Sequence, residues 1–260
     1  MRNWGAALEF EAVKFHRSFL VRTISVLLVV GLPSLAAAFL AAAASGTPGL
    51  LGSKASAMLP GTGWAGLAGI TGQMMSVGVL VGAGLAAAWC FGREFTDKTA
   101  SSLFALTVGR GWLALAKFTV VTAWALGVIL LTMVACLAAG LVAGLGLPDP
   151  AAVPIVVKGL TAASLSALLA LPLAWVASIT RGYLGGIGAL LLLIVVTQVV
   201  TAFGTGAWFP YAAPGLWVGL AGSEAAAAVT PLQLALALPV SAAGVVATCA
   251  WWSTASLDRH

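Results

Sequence analysis

Hydrophobic residues fill long runs along this chain, and almost all of the charged residues lie in the gaps between them. No charged residue lies between Arg22 and Ser45, and none lies between Lys117 and Asp149. At 1.5 Å per residue, runs of this kind are long enough to cross about 30 Å of hydrocarbon. The pattern predicts six membrane-spanning helices, at residues 23–44, 64–92, 113–145, 157–180, 184–203 and 230–254.

The composition supports a membrane protein and excludes a soluble one. Hydrophobic residues make up 61% of the chain and charged residues only 7%, whereas a soluble domain has about 25% charged residues. The fold class is therefore predicted as all-α and integral to the membrane, with a single six-helix domain at 23–257. Three cysteines lie in apolar runs and are interpreted as apolar packing residues, without a disulfide framework or metal-ligand spacing.

The segment before the first run, residues 1–22, is predicted to form an amphipathic helix. Its apolar stripe repeats at three- and four-residue spacing: Trp4, Leu8, Ala12, Phe15 and Phe19. Such a helix is expected to lie flat in the cytoplasmic interface with its cations near lipid headgroups. It is either a topology anchor or an elbow that positions the first span, which is too long for a cleaved signal core.

The basic residues predict the orientation of the spans. Ten of the twelve Lys and Arg residues fall on one side of the predicted membrane, and only Lys54 and Lys158 fall on the other. Basic residues accumulate on the cytoplasmic side of membrane proteins. Both termini are therefore expected to be cytoplasmic.

The connection between the second and third spans carries the most polar chemistry. It reads Gly92-Arg93-Glu94-Phe95-Thr96-Asp97-Lys98-Thr99 and continues through Leu103 to Arg110. The i,i+4 spacing pairs Arg93 with Asp97 and Glu94 with Lys98, which predicts a short cytoplasmic helix at about 93–108. Two interpretations remain open, a docking element for a partner and an ordinary solvated connection.

The segment Gly-Arg-Glu-Phe-x-x-x-Thr-x-x-x-Leu at 92–103, the N-terminal helix and the six spans together resemble ABC-2-type permeases. The resemblance is strongest to the antibiotic-export and lantibiotic-immunity group. Arg110 and Lys117 occupy the places of the Arg and Lys that usually follow in this family, and Thr107 stands where Pro is common. The aromatic, proline-rich segment at about 204–229 is similar to the family's extracellular re-entrant helices.

The resemblance implies a type V exporter permease that moves an amphipathic or hydrophobic cargo, such as a peptide antibiotic, a drug or a lipid-like molecule, across the bacterial plasma membrane. It implies two copies of a separate ATPase subunit that bind ATP and Mg, a second permease copy or paralogue, surrounding membrane lipid, no nucleic acid, and no cofactor in this chain. The residues it assigns to ATPase coupling are Arg93, Glu94, Phe95, Asp97, Lys98, Thr99, Leu103 and Arg110.

Few polar side chains lie inside the predicted spans. The candidates for a transport path or a dimer interface are Gln73, Thr197, Gln198 and Thr201, because an amide in hydrocarbon is costly unless it faces another helix or water. Hydrogen bonding between helices of the same chain is the alternative. If the first interpretation holds, the spans at 64–92 and 184–203 lie near a dimer axis.

Missing motifs exclude several other functions. The chain has no Gly-x-x-x-x-Gly-Lys-[Ser/Thr] phosphate loop and so is not predicted to be an ATPase. Its histidines, His16 and His260, lie outside the spans, and no predicted span contains Asp or Glu. These facts argue against an intramembrane hydrolase, a haem-binding subunit and an ion-coupled transporter. A non-transporting scaffold or assembly factor and a permease for lipid-linked polysaccharide remain as alternatives.

Overall fold

The computed structural model describes residues 2–45, 59, 61–99 and 109–255, and this part of the chain is helical without strands. The described α-helices are α1 Arg2–His16, α2 Phe19–Val26, α3 Leu32–Ala44, α4 Gly63–Thr96, α5 Arg110–Val142, α6 Val153–Leu169, α7 Leu173–Ile179, α8 Tyr183–Ala202, α9 Ala213–Trp217, α10 Ser223–Ala227, α11 Pro231–Ala235 and α12 Ala237–Thr254. A π-helical turn, Leu27–Gly31, joins α2 to α3, and 3-10 turns lie at Pro150–Ala152 and Gly206–Trp208.

Six helical segments of the described chain are long and apolar enough to cross a membrane, which confirms the predicted number. They are Phe19–Ala44, Gly63–Thr96, Arg110–Val142, Pro150–Ile179, Tyr183–Ala202 and Pro231–Thr254. The second span extends four residues past the predicted end at 92, and the fourth begins seven residues before 157. The chain is a multi-pass membrane protein with an all-α fold.

Prolines coincide with the irregular turns of two spans. The widened turn Leu27–Gly31 precedes Pro33, whose ring nitrogen has no N–H to donate to the helix. The fourth span breaks between α6 and α7 at Pro172. Helix α12 packs against this break through Gly244, where an added Cβ would lie 2.6 Å from the Pro172 Cα. The kink therefore forms part of the contact between the fourth and sixth spans.

Helix α4 is the centre of the bundle. It packs against α3, α5, α6, α7 and α8, and most of its residues are buried. At its crossing with α6, a Cβ added to Gly72 would lie 3.1 Å from the Gly159 Cα, so the two backbones approach closely. The chain itself surrounds most of this helix, so little of the 64–92 span is left for contact with a second subunit; its place near a dimer axis stays a prediction.

Helix α8 has the opposite character. Of its twenty residues only Gly186 and Leu190 are buried, and large apolar side chains such as Leu192 and Val195 are exposed. The first span and α12 also expose apolar side chains. These three spans, together with the exposed side of α5, form the surface that lipid or a second membrane subunit can contact.

Short helical segments replace a long loop at 204–229. Their small apolar core consists of Ala212, Ala213, Leu216 and Val229. Helix α9 packs on α4 and α6, and the ammonium of Lys158 lies 5.3 Å from the ring centre of Trp217. This segment covers one end of the bundle, and its entry into the membrane remains a prediction.

The N-terminal helix is shorter than the predicted 1–22 segment. Helix α1 ends at His16, the chain turns at Arg17 and Ser18, and the first span begins immediately afterwards. Phe19 was predicted to extend the apolar stripe, but it lies beyond the turn and is 84% exposed. Ser18 has extended backbone dihedrals, φ −66° and ψ 132°, so α1 and the first span are separate helices.

The inner face of α1 packs on protein rather than lying wholly in the membrane interface. Its buried residues are Ala7, Glu11 and Phe15, which repeat at four-residue spacing and face the bundle where α1 packs on α5. The predicted stripe contained Leu8 and Ala12, whereas the buried residues are their neighbours Ala7 and Glu11, so the prediction was wrong by about one residue. A carboxylate, Glu11, lies at the centre of that face, 1% exposed.

Candidate functional site

Four charged side chains from three helices meet inside the bundle. The Lys117 ammonium donates hydrogen bonds to Glu11 Oε2 at 2.7 Å and to Glu94 Oε1 at 2.8 Å. It also lies 3.4 Å from the Cys90 carbonyl oxygen. The Lys14 ammonium forms an ion pair with Glu94 Oε1. These four charged residues, Glu11, Lys14, Glu94 and Lys117, are called the buried ion cluster below.

Each helix positions its charges by ordinary helical geometry. Glu11 and Lys14 are three residues apart on α1 and so lie on neighbouring positions of one face. Glu94 lies in the last turn of α4, and Lys117 lies two turns into α5. Their meeting fastens α1 to the adjoining ends of α4 and α5.

Two carboxylates and two ammonium groups balance the charge of the buried ion cluster. The side chains of Glu94 and Lys117 are 0% exposed, and a buried charge is tolerated only when it is paired and hydrogen-bonded. Thr99 completes the set by donating from its hydroxyl to Glu94 Oε2 at 2.6 Å. One buried carboxylate oxygen, Glu11 Oε1, has no hydrogen-bond partner among the described residues.

Aromatic rings enclose this cluster. The Phe15 ring is 5.5 Å from that of Trp124 and 6.3 Å from that of Trp89, measured between ring centres. On the other side, the Lys117 ammonium lies 6.0 Å from the ring centre of Trp252 in α12. The side chains of Glu94 and Lys117 are 0% exposed behind these rings, and a water-poor surrounding strengthens the attraction between their charges.

The structure corrects the position predicted for Glu94. The sequence suggested an exposed residue of a docking helix, paired with Lys98. Instead the Glu94 carboxylate is buried, and its bonds go inward to Lys14 and Lys117 and sideways to Thr99. Its side chain therefore offers no surface to another subunit, and any part it has in coupling is indirect.

The predicted helix at 93–108 is also corrected in its first part. Arg93 and Asp97 form the expected i,i+4 ion pair at 3.5 Å, but Arg93 belongs to the last turn of α4 rather than to a separate helix. Lys98 then adopts a positive φ of 58°, the left-handed conformation common just after a helix end. Leu103 lies outside the described residues.

Two other predicted coupling residues make contacts within the chain. The Phe95 ring packs 5.6 Å from Trp251 and 6.0 Å from Trp252, between ring centres. Arg110 donates from Nη1 to the Ala255 carbonyl oxygen at 2.7 Å, which satisfies a carbonyl at the end of α12. Both residues fasten α12 to the same end of the bundle as the buried ion cluster.

After these assignments, a small exposed surface remains at the end of α4. It consists of the consecutive residues Thr96, Asp97, Lys98 and Thr99, and it is called the α4 tip below. Thr99 belongs both to the α4 tip and to the hydrogen-bond network of Glu94. The tip is thus one hydrogen bond away from the buried ion cluster.

The polar residues predicted inside the spans separate into two groups. Gln73 is 5% exposed, and its amide donates to the Gly219 carbonyl oxygen at 3.3 Å, which joins α4 to the segment at 204–229. This contact favours the packing alternative for Gln73. Thr197, Gln198 and Thr201 instead line a pocket of about 120 Å³ between α4, α8 and α9, and Gln198 is exposed.

The buried ion cluster was not predicted from the sequence, although the sequence contains two signals of it. Lys117 lies inside a 33-residue apolar helix, and an ionisable residue in such a helix usually has a specific buried partner. Glu11 interrupts the apolar side of α1 at four-residue spacing from Ala7 and Phe15. What the sequence did not reveal is that these two residues, 106 positions apart, form an ion pair.

Comparison with known proteins identifies the family. A family model described as ABC-2 family transporter protein matches residues 7–200, which include the buried ion cluster, the first four spans and all but the last two residues of the fifth. No curated protein and no solved structure matches the chain. With three quarters of its length matched and six membrane-spanning helices in place, the chain belongs to the ABC-2 family of transporter proteins and is a transmembrane permease.

Proposed function

We propose that this chain is the membrane-spanning subunit of an ATP-driven exporter and that a separate ATPase subunit docks on its α4 tip. The observation that carries the proposal is the placement of the tip. It is exposed, and Thr99 connects it by one hydrogen bond to the ion pairs that fasten α1, α4 and α5 together. ATP and Mg are bound by the two ATPase subunits of the complex.

In this mechanism the buried ion cluster transmits movement and takes no part in chemistry. A displacement of the α4 tip moves the last turn of α4, and the Glu94 carboxylate carries that displacement to Lys117 on α5 and Lys14 on α1. Because the side chains are buried and paired, breaking these contacts is costly and the three helices move together. The spans of α4 and α5 then change their packing as a unit.

The docking proposal predicts the effect of a charge reversal on the tip. Lys98→Glu is expected to weaken co-purification of the ATPase and to lower transport-linked ATP hydrolysis, because an exposed charge at the contact changes its sign. The free energy of unfolding of the isolated permease is expected to change by at most about 1 kcal/mol, since Lys98 is exposed and interactions of exposed charges are weak.

Lys158→Glu is the matched control, because Lys158 lies in α6 beside Trp217 and is not part of the α4 tip. It is expected to leave ATPase binding intact. Normal co-purification and normal ATP hydrolysis in Lys98→Glu would remove the α4 tip from the docking surface.

The second permease subunit is proposed to contact α8. This helix exposes apolar side chains along most of its length and also exposes the Gln198 amide. An amide facing lipid alone lacks a hydrogen-bond partner, whereas an amide facing another helix gains one. The complex then contains two permease subunits, copies of this chain or a copy and a paralogue.

A cysteine crosslink tests this contact. In a background without Cys90, Cys136 and Cys249, Gln198→Cys is expected to form a disulfide between two copies. Val134→Cys, on a 61% exposed position of α5, is the control and is expected to stay monomeric. If Val134→Cys forms a disulfide between copies and Gln198→Cys does not, the subunit contact lies on α5 instead.

The cargo is proposed to be amphipathic or hydrophobic and to pass between the two permease subunits. Within one chain, the pocket beside Thr197, Gln198 and Thr201 has about 120 Å³, less than the roughly 300–1,000 Å³ typical of ligand pockets. A path formed by two α8 surfaces offers more room and the same polar groups. Peptide antibiotics, drugs and lipid-like molecules, including lipid-linked polysaccharides, share the required chemistry.

The topology proposal places both termini and the α4 tip in the cytoplasm of a bacterial cell. It predicts opposite labelling of two single cysteines by a membrane-impermeant thiol reagent. Leu147→Cys, 88% exposed in the turn after α5, is expected to react from outside. Asp97→Cys is expected to react only after the membrane is opened, and labelling of both from outside would refute the orientation.

A further inference from the structure

An elongated groove runs between α1, the first span and α5. Each of the three contributes residues at four-residue spacing, so one face of every helix lines the groove. Its lining includes Ala12 and His16 of α1, Ser25 and Val29 of the first span, and Ala123 and Gly127 of α5. The groove has a volume of about 480 Å³, within the range of ligand sites.

The dimensions of the groove match those of a lipid chain. Its α5 side runs from Thr119 to Leu131, which is about 18 Å at 1.5 Å per residue. One leaflet of a bilayer has a hydrocarbon thickness of about 15 Å, half of the whole core. The groove therefore extends over roughly the depth of one leaflet, beginning beside α1.

The interior of the groove is apolar and has open space. The indole N–H of Trp124 donates to the Ser25 hydroxyl at 2.9 Å, and that hydroxyl donates to the Val21 carbonyl oxygen at 2.8 Å, so both polar groups have partners within the protein. An added Cβ at Gly127 would meet nothing within 4 Å. The lining thus offers satisfied polar groups and room for hydrocarbon.

Two arginines, Arg17 and Arg22, lie beside His16 at the end of the groove where α1 turns into the first span. His16 lines the groove, and the Arg22 guanidinium is held beside it by bonds to the carbonyl oxygens of His16 at 3.1 Å and Arg17 at 2.9 Å. Arg17 is exposed, and no described carboxylate forms an ion pair with it. Exposed arginines at a membrane surface attract anionic headgroups.

From the groove and its basic end together, we infer that this permease binds an anionic phospholipid here. One acyl chain occupies the groove, and the phosphate group lies at Arg17, Arg22 and His16. The lipid is then in the leaflet that contains α1, where it contacts α1, the first span and α5 at the same time. This site is independent of the cargo path beside α8.

A photoactivatable phosphatidylglycerol with a diazirine on its acyl chain tests the inference in vesicles that contain the full-length chain. Adducts mapped by mass spectrometry are expected on the α5 stripe around Gly127. Gly127→Leu fills the open space and is expected to abolish them. Ala138→Leu, which adds the same side chain to an exposed position of α5 outside the groove, is expected to keep them.

The headgroup is tested by competition with unlabelled lipid. Phosphatidylglycerol is expected to displace the probe more effectively than phosphatidylcholine, and Arg17→Gln is expected to reduce that preference about fivefold, as loss of one interfacial arginine predicts. Equal competition by both lipids would overturn the anionic selection. Unchanged adducts in Gly127→Leu, or a disulfide between copies at Gly127→Cys, would overturn the lipid site itself.

Discussion

Replacing Lys117 by methionine is expected to destabilise the permease by about 3–5 kcal/mol, the typical cost of removing one partner from a buried ion pair. Methionine has a similar shape but leaves Glu11 without its ammonium partner and Glu94 with Lys14 alone. The measurement is the melting temperature of the detergent-purified protein, taken as the temperature at which half of its monodisperse size-exclusion peak is lost. Lys158→Met is the control, because Lys158 lies outside the buried ion cluster.

A second substitution separates stability from coupling. Lys117→Met with Glu11→Gln restores a balanced charge, since Lys14 and Glu94 remain paired. The double variant is expected to recover most of the lost stability but not ATP-driven transport, because the link from α1 to α5 stays broken. Full transport in the stable double variant would show that the cluster is needed for folding only.

Gly92→Ala is expected to have the second large effect. A Cβ at this position would lie 2.2 Å from the Tyr183 backbone nitrogen and 2.4 Å from its Cα. Backbone atoms cannot rotate away, so the end of α4 must separate from the start of α8. We expect a loss of about 1–3 kcal/mol, as for other overpacked sites, measured by the same thermal assay.

Gly188→Ala provides the comparison for this glycine. It adds the same methyl group to α8 at a position where an added Cβ meets nothing within 4 Å. Because alanine favours a helix over glycine by up to about 1 kcal/mol, this variant is expected to be neutral or more stable. A Gly92→Ala protein as stable as Gly188→Ala would contradict the close approach between α4 and α8.

The sequence predicted the spans well because each is a local run of apolar residues with few charges. It predicted their ends less well, since the i,i+4 pair of Arg93 and Asp97 stabilises a helix whether or not that helix continues a span. The family assignment was predicted from the segment that begins at Gly92, and the match over residues 7–200 confirms it.

The candidate site was harder to predict because it depends on contacts between distant residues. Nothing local distinguishes an exposed Glu94 from one buried against Lys117, since both sit naturally at the end of a helix. The sequence likewise left two interpretations of Gln73 open, and the structure shows the Gly219 carbonyl oxygen of the segment at 204–229 bonded to its amide. In each case the neighbour that decides the role comes from another part of the chain.

The buried ion cluster also constrains the order in which the protein can assemble as the ribosome releases it. Glu11, Lys14 and Glu94 are synthesised before Lys117. Glu94 can therefore pair with Lys14 before Lys117 has been made. Until the third span is inserted, the Glu11 carboxylate lacks its partner and is better solvated at the membrane surface than inside the bundle. We therefore expect α1 to dock on the bundle only after α5 has been inserted, because α5 supplies both the packing surface and the ammonium partner of Glu11.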